Sequence, residues 1–383
     1  MSTEEQFDAI RPYNDQEFRK ELNDLLSDQE FISAIDSSVG VLPRKILFHR
    51  ARQTGNATEL QRRVIVPLIL LTTRCHGGKL SHDFTSLPSA KGNWLFISNH
   101  RDIVMDSAFL DCLLIDEGAD GVEIAIGDNL LIKPWIERLV RLNKSFIVHR
   151  SLPPSEFIES SRTLSAYISH AINEKMASVW IAQREGRAKD SNDLTQKSLL
   201  KMLAMSGDGD AISTLAGLHL VPLAISYEYD PCDWLKAKEF QLKRDNPDYR
   251  KTRQDDLQNM RCGIFGKKGH IHYQAAGCID DRLMSTNHSR PRNVLLEEAA
   301  GIIDNEIHRS YRIYPGNRVA LDLLSGEHSQ ESLYTAKERE TFERYMERQL
   351  SKIDIAGPDW SFLRTKFLEM YANPLINQLK SVQ

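Results

Sequence analysis

His100, Arg101, Asp102 and Asp106 stand together in FISNHRDIVMDSAF, residues 96–109. An imidazole next to a carboxylate is a general base whose tautomer is held and whose protonated form is stabilised. Two aspartates lie within reach. Asp102 is also a candidate cap for the helix that follows, since a short carboxylate accepts the unpaired N–H groups of a first turn. Asp106 lies one turn further on, and the residues alone leave both open. Two further clusters are cationic. Arg150 ends NKSFIVHR, residues 143–150, and Arg184, Arg187 and Lys189 follow in IAQREGRAKD, residues 181–190, with Glu185 and Gly186 between them. Guanidinium and ammonium groups around a glycine, which lets a ligand approach the backbone, suit a phosphate.

Each cluster follows an apolar run. Strand-like runs at 94–98, 122–126, 145–148, 178–182, 218–227 and 270–274 alternate with helical patterns at 106–115, 130–142, 154–173 and 195–204. Alternating β and α elements predict an α/β fold, a mixed, mostly parallel sheet covered by helices, with helical N- and C-terminal extensions. The divisions expected are a helical N-terminal extension over 1–78, an α/β domain over 90–285 and a helical region over 290–383. Residues 77–92 are mostly polar, with Gly78 and Pro88, and predict a linker. Residues 236–261 are densely charged with both signs and predict an exposed loop or hairpin. Where parallel strands end, their carboxyl edges form the usual ligand crevice. Three such ends carry His100, Arg150 and the 184–189 cluster. That places a general base beside an anion site, suited to a hydroxyl nucleophile on a phosphorylated substrate.

The 383 residues carry a net charge of −4. That argues against nucleic acid as the main partner, because phosphate neutralisation needs a basic surface. Five cysteines without C-x-x-C spacing read as reduced thiols. The acidic start MSTEEQFDAIRPYND is not a secretory signal. The longest apolar run, 64–71, holds Pro67 and is far short of the ~20 residues that span a bilayer.

The ordered set His100…Asp106, Phe146-Ile147-x-x-Arg150, Glu185-Gly186-Arg187 and Val221-Pro222-Leu223-Ala224-Ile225 resembles the four motif blocks of the glycerolipid acyltransferases, over residues 90–230. The resemblance implies that His100 deprotonates an acceptor hydroxyl and that Asp106 orients His100. It implies that Arg150, Arg184, Arg187 and Lys189 hold the acceptor's phosphate, with Glu185 and Gly186 shaping that loop and Arg101 and Asp102 beside it. The acyl donor would be a thioester of coenzyme A or acyl carrier protein, a co-substrate rather than a cofactor, and no metal is implied. The leading acceptor is 1-acyl-glycerol-3-phosphate, followed by glycerol-3-phosphate or another lysolipid. A hydrolase and an inactive lipid-binding protein are the readings from other classes. Two departures stand out. The family's H-x-x-x-x-D block has Met105 where the aspartate belongs, with Asp106 one later. Its E-G-T-R block has Arg187 one position early. An acceptor resident in membranes implies a cytoplasmic protein on the inner face of the membrane, touching it through 130–142 or 342–375.

Overall fold

The computed structural model describes residues 5–150, 152–207 and 209–382. Five helices come first: α1 (Asp15–Ser27), α2 (Gln29–Val39), α3 (Val41–Arg52), α4 (Ala57–Leu60) and α5 (Val66–Cys75). Capping explains their boundaries. Asn14 accepts from the backbone N–H groups of Gln16 and Glu17 and starts α1, and Asp28 accepts from Phe31 and starts α2.

The strands are β1 (Lys79–Asp83), β2 (Leu95–Ser98), β3 (Glu123–Gly127), β4 (Ser145–Val148), β5 (Val179–Ala182), β6 (Leu220–Tyr227) and β7 (His270–Ala275). They form one sheet in the order β1-β7-β6-β2-β5-β3-β4. β6, β2, β5, β3 and β4 run parallel; β7 runs against β6, and β1 runs parallel to β7. The fold is therefore α/β with a mixed, mostly parallel sheet. Between the strands lie α6 (Met105–Asp116), α7 (Pro134–Leu142), α8 (Pro154–Asn173), α9 (Lys197–Leu203), α10 (Ala211–Ala216), α11 (Asp233–Asp245) and α12 (Arg253–Phe265). After β7 come α13 (Asp280–Met284), α14 (Arg292–Arg309), α15 (Pro315–Ser325), α16 (Ala336–Leu350) and α17 (Trp360–Ser381).

Successive strand residues face opposite sides of the sheet, and both sides are dry. Leu95 and Ile97 of β2 join the core with α8, α9 and α14, whereas Phe96 joins Phe109, Leu110 and Leu113 of α6 on the other face. A third cluster unites α11 with α15, α16 and α17, and a fourth unites α1–α4 with α7. The third has a polar centre. The buried Asp233 carboxylate accepts from Tyr345 Oη at 2.7 Å, Tyr371 Oη at 2.8 Å and Gln349 Nε2 at 2.7 Å.

Two expectations are overturned. Residues 77–92 are not only linker, since they hold β1, whose polar KLSHD run is half-buried at the edge of the sheet, where strands need little apolar surface. Residues 236–261 are not an exposed loop. They are most of α11 and α12, and two of their charges are paired inside: Lys236 is buried against Asp230, and buried Glu239 gathers Lys189, Lys243 and Lys251. The predicted helix over 130–142 starts only at Pro134, whose fixed φ suits a first helical position.

Candidate active site

β2 ends at Ser98, and Asn99 anchors the turn that follows. Its side-chain amide donates to Ile225 O at 2.9 Å, and its Oδ1 accepts from Ile225 N at 2.8 Å, so the turn is tied to β6. Residues 103–104 are turn, and α6 begins at Met105. Asp106 therefore sits in the first helical turn and points back. Its Oδ2 accepts from His100 Nδ1 at 2.8 Å and from the backbone N–H groups of Arg101 and Asp102 at 2.7 and 3.0 Å; its Oδ1 accepts from Tyr227 Oη at 3.0 Å. Four donors meet the capacity of a carboxylate that has no exposed surface. With Nδ1 held, the imidazole has Nε2 left for a ligand. The ring stands edge-on to Trp180 of β5, centroids 5.8 Å apart.

Asp102 does different work. Its Oδ1 accepts from Val104 N at 2.9 Å and Met105 N at 3.0 Å, capping α6. Its other oxygen is buried without a hydrogen-bond partner. Burial, and then the charge of Asp106, push its carboxyl above the ordinary range. α12 crosses it at Gly263, where a Cβ would stand 2.3 Å from Asp102 Oδ2. Arg101 is also turned inward, paired with Asp193 at 2.7 Å and stacked on Tyr311. Neither Arg101 nor Asp102, both expected beside the phosphate, lines the cavity described next.

His100 lines a cavity of about 970 Å³. Its walls are apolar: Leu22 and Leu26 of α1, Phe48 of α3, Trp135 and Leu139 of α7, and Met260 of α12 among others. Two of the predicted cations reach it, Arg150 from the end of β4 and Arg184 from the end of β5. Gly127 makes room for the first, as a Cβ there would lie 2.6 Å from Arg150 Nε. Asp128 fixes the β4 end by accepting from Arg150 N at 3.2 Å and meeting His149 Nδ1 at 3.2 Å. Arg184 Nε is buried without a hydrogen-bond partner, and an unpaired buried donor is what a bound anion would satisfy. Exposed Glu185 pairs with Arg150 at 3.7 Å, and Gly186, at φ +65°, makes the turn that a side chain would strain.

The other two cations turn away. Arg187 donates to Asn259 Oδ1 of α12 at 2.9 Å, and Lys189 pairs with Glu239 of α11. Burial brings the Lys189 amine down to about 8, against the pull of Glu239. These residues bind the α11–α12 pair to the loop rather than facing the cavity. Sequence reasoning missed Asn99, Asp128, Tyr227, Trp180 and Asn259. Their signals were slight: Asn99 and Asp128 directly follow strands, but Tyr227 and Trp180 lie inside them, and Asn259 lies in a segment read as solvated.

An acyltransferase family model matches residues 74–226. No curated protein matches the sequence. Among solved structures the chain is similar to the 1-acyl-sn-glycerophosphate (LPA) acyltransferase PlsC of Thermotoga maritima, at 11% identity and a TM-score of 0.38, over 78% of this chain and 100% of that one.

Proposed function

We propose, from the match of residues 74–226 to an acyltransferase family model, that the chain moves a fatty acyl group from a thioester of coenzyme A or acyl carrier protein to the free hydroxyl of 1-acyl-glycerol-3-phosphate. The carrying observation is that His100, held by Asp106, stands where a large apolar cavity meets Arg150 and Arg184. Nε2 of His100 takes the acceptor's hydroxyl proton as the oxygen attacks the thioester carbonyl. The carbon–sulfur bond then breaks, the imidazolium returns the proton to the departing sulfur, and ester and thiol are released. Asp106 orients the ring and stabilises its cationic form. Arg150 and Arg184 pair with the acceptor's phosphate, and Arg187 and Lys189 brace the loop from behind.

The cavity is near the top of the ~300–1,000 Å³ range of small-molecule sites, which favours an acceptor that already bears a chain over glycerol-3-phosphate. Access from a bilayer fits the N-terminal helices. Among the described residues no helix is long and apolar enough to cross a membrane. On α3, however, Val41, Leu42 and Ile46 are exposed beside Arg44, Lys45, Arg50 and Arg52, and Leu47 and Phe48 of the same helix line the cavity. An exposed apolar face with basic flanks suits an anionic membrane surface. The two stretches expected to touch membrane are occupied elsewhere: α7 is a cavity wall, and Phe342, Phe367 and Leu375 are buried among the C-terminal helices. Purified protein should release thiol and form phosphatidate from an acyl thioester and 1-acyl-glycerol-3-phosphate, faster than with glycerol-3-phosphate. Free fatty acid as the sole product would turn the reading to hydrolysis, and no turnover with either donor would turn it to a binding protein.

A further inference from the structure

The edge of the sheet opposite the cavity brings three ligand-type side chains together. His219 precedes β6, whereas Cys278 and Asp280 follow β7, and because these strands are antiparallel the two positions meet. His219 Nδ1 donates to Asp280 Oδ2 at 2.8 Å. The imidazole, the thiol and the carboxylate each place one ligand atom within 4.8 Å of the others, and all three residues are half-buried. Asp280 Oδ1 is buried without a hydrogen-bond partner. Arg282 is committed to Glu306, so the nearest arginine along the chain does not offset the carboxylate.

The backbone holds this arrangement. His219 is in the left-handed region at φ +52°, a conformation that a non-glycine residue keeps only when its surroundings impose it. His219 O accepts from Leu95 N at 3.1 Å, and Leu220 O accepts from Ile279 N at 3.0 Å. The two ligand-bearing turns are thus laced to the sheet on either side of the cluster.

We propose that His219, Cys278 and Asp280 form a binding site for a zinc-class divalent cation, remote from the catalytic histidine. Zinc takes thiolate, imidazole and carboxylate at ~2.0–2.3 Å, which puts ligand atoms roughly 3.3–3.8 Å apart in tetrahedral geometry. The observed separations need only small side-chain shifts to reach that. On binding, the Cys278 thiol gives its proton to solvent, the imidazole proton moves from Nδ1 to Nε2, and a water completes the coordination. One thiolate and one imidazole select zinc over magnesium or calcium, which take oxygen ligands. The ion would clip the start of β6 to the end of β7.

The test uses the full chain, stripped of metal under reducing conditions. Equilibrium dialysis should load a single zinc ion. Cobalt should give a thiolate-to-cobalt charge-transfer band, and zinc should raise the melting temperature. Cys278→Ser should abolish the band, and Asp280→Asn should weaken zinc binding by at least about tenfold, since even outer-shell losses cost ~10–100-fold. Cys262→Ser, which changes a cysteine outside the cluster, should match wild type. Without zinc, all three variants should melt like the metal-free wild type, which separates lost binding from lost folding. No zinc retained by wild type, or a cobalt band that survives Cys278→Ser, would overturn the proposal.

Discussion

Removing the imidazole and removing its carboxylate partner test different parts of one device. His100→Ala takes away the proposed base and should lower kcat by ~10²–10⁴-fold, the usual contribution of a positioned general base. Asp106→Asn keeps the shape but disturbs the tautomer and the imidazolium, so kcat should also fall severely. Asp102→Asn retains an oxygen able to cap α6 and should stay within a few-fold of wild type. Steady-state kinetics on folded protein checks all three, and a dead Asp102→Asn would reverse the two aspartates' roles. The cations separate in the same way. Arg184→Ala should raise KM for the phosphorylated acceptor by at least about tenfold, because it removes a charge-assisted contact facing the cavity. Arg187→Ala should instead lower thermal stability, because its partner is Asn259 of α12. Residue types and strand ends made legible that His100, Arg150 and Arg184 gather at one edge of the sheet. They did not show which cations look inward, because the direction of each depends on α11 and α12, which the sequence hides behind a charged surface pattern.

At the scale of elements, the α11–α12 pair and the N-terminal helices decide what the sheet's edge can bind. The five parallel strands were legible because their runs are almost wholly apolar. β1 was not, since an edge strand half in solvent carries no apolar signature. α11 and α12 were missed for a related reason, as α11 buries Lys236, Glu239 and Gln241 and α12 buries Asn259 and Gly263, none of them aliphatic side chains. A paired charge looks the same in sequence as a solvated one. α3 carries the prediction at this scale. Replacing Leu42 and Ile46 by Asp should release the protein from anionic vesicles in a flotation assay. Wild type should float with anionic vesicles and much less with neutral ones. Equal recovery of wild type with and without anionic vesicles would remove α3 from membrane contact.

For the whole molecule, the C-terminal helices are joined to the α/β body through a buried acid. Burial raises the Asp233 carboxyl to about 7, far above its ordinary 3.8. Below pH ~4 the group is protonated in both folded and unfolded chains and costs nothing. Between about 4 and 7 the unfolded chain ionises it while the folded chain keeps its proton, so stability falls as pH rises, and it levels above 7. The total is on the order of 4 kcal/mol at 1.36 kcal/mol per pH unit. Asp233→Asn cannot ionise. The unfolding free energy of wild type minus that of Asp233→Asn should therefore decline across this window in denaturant titrations. A difference independent of pH would show that the carboxyl is not held protonated. None of this was legible beforehand, because Asp233 and its partners Tyr345, Gln349 and Tyr371 lie more than a hundred residues apart.

β1 is the first strand in the chain, yet its neighbour in the sheet is β7, and the paired residues Lys79 and His270 are 191 positions apart. Loop closure over such a distance is slow, and mixed sheets of this kind fold late. During synthesis β6 emerges long before the strand that covers its edge. Until residue 275 has left the ribosome, that edge offers unpaired backbone groups to any passing chain. Nascent chains that stall between β6 and β7 should therefore aggregate more readily than the completed chain.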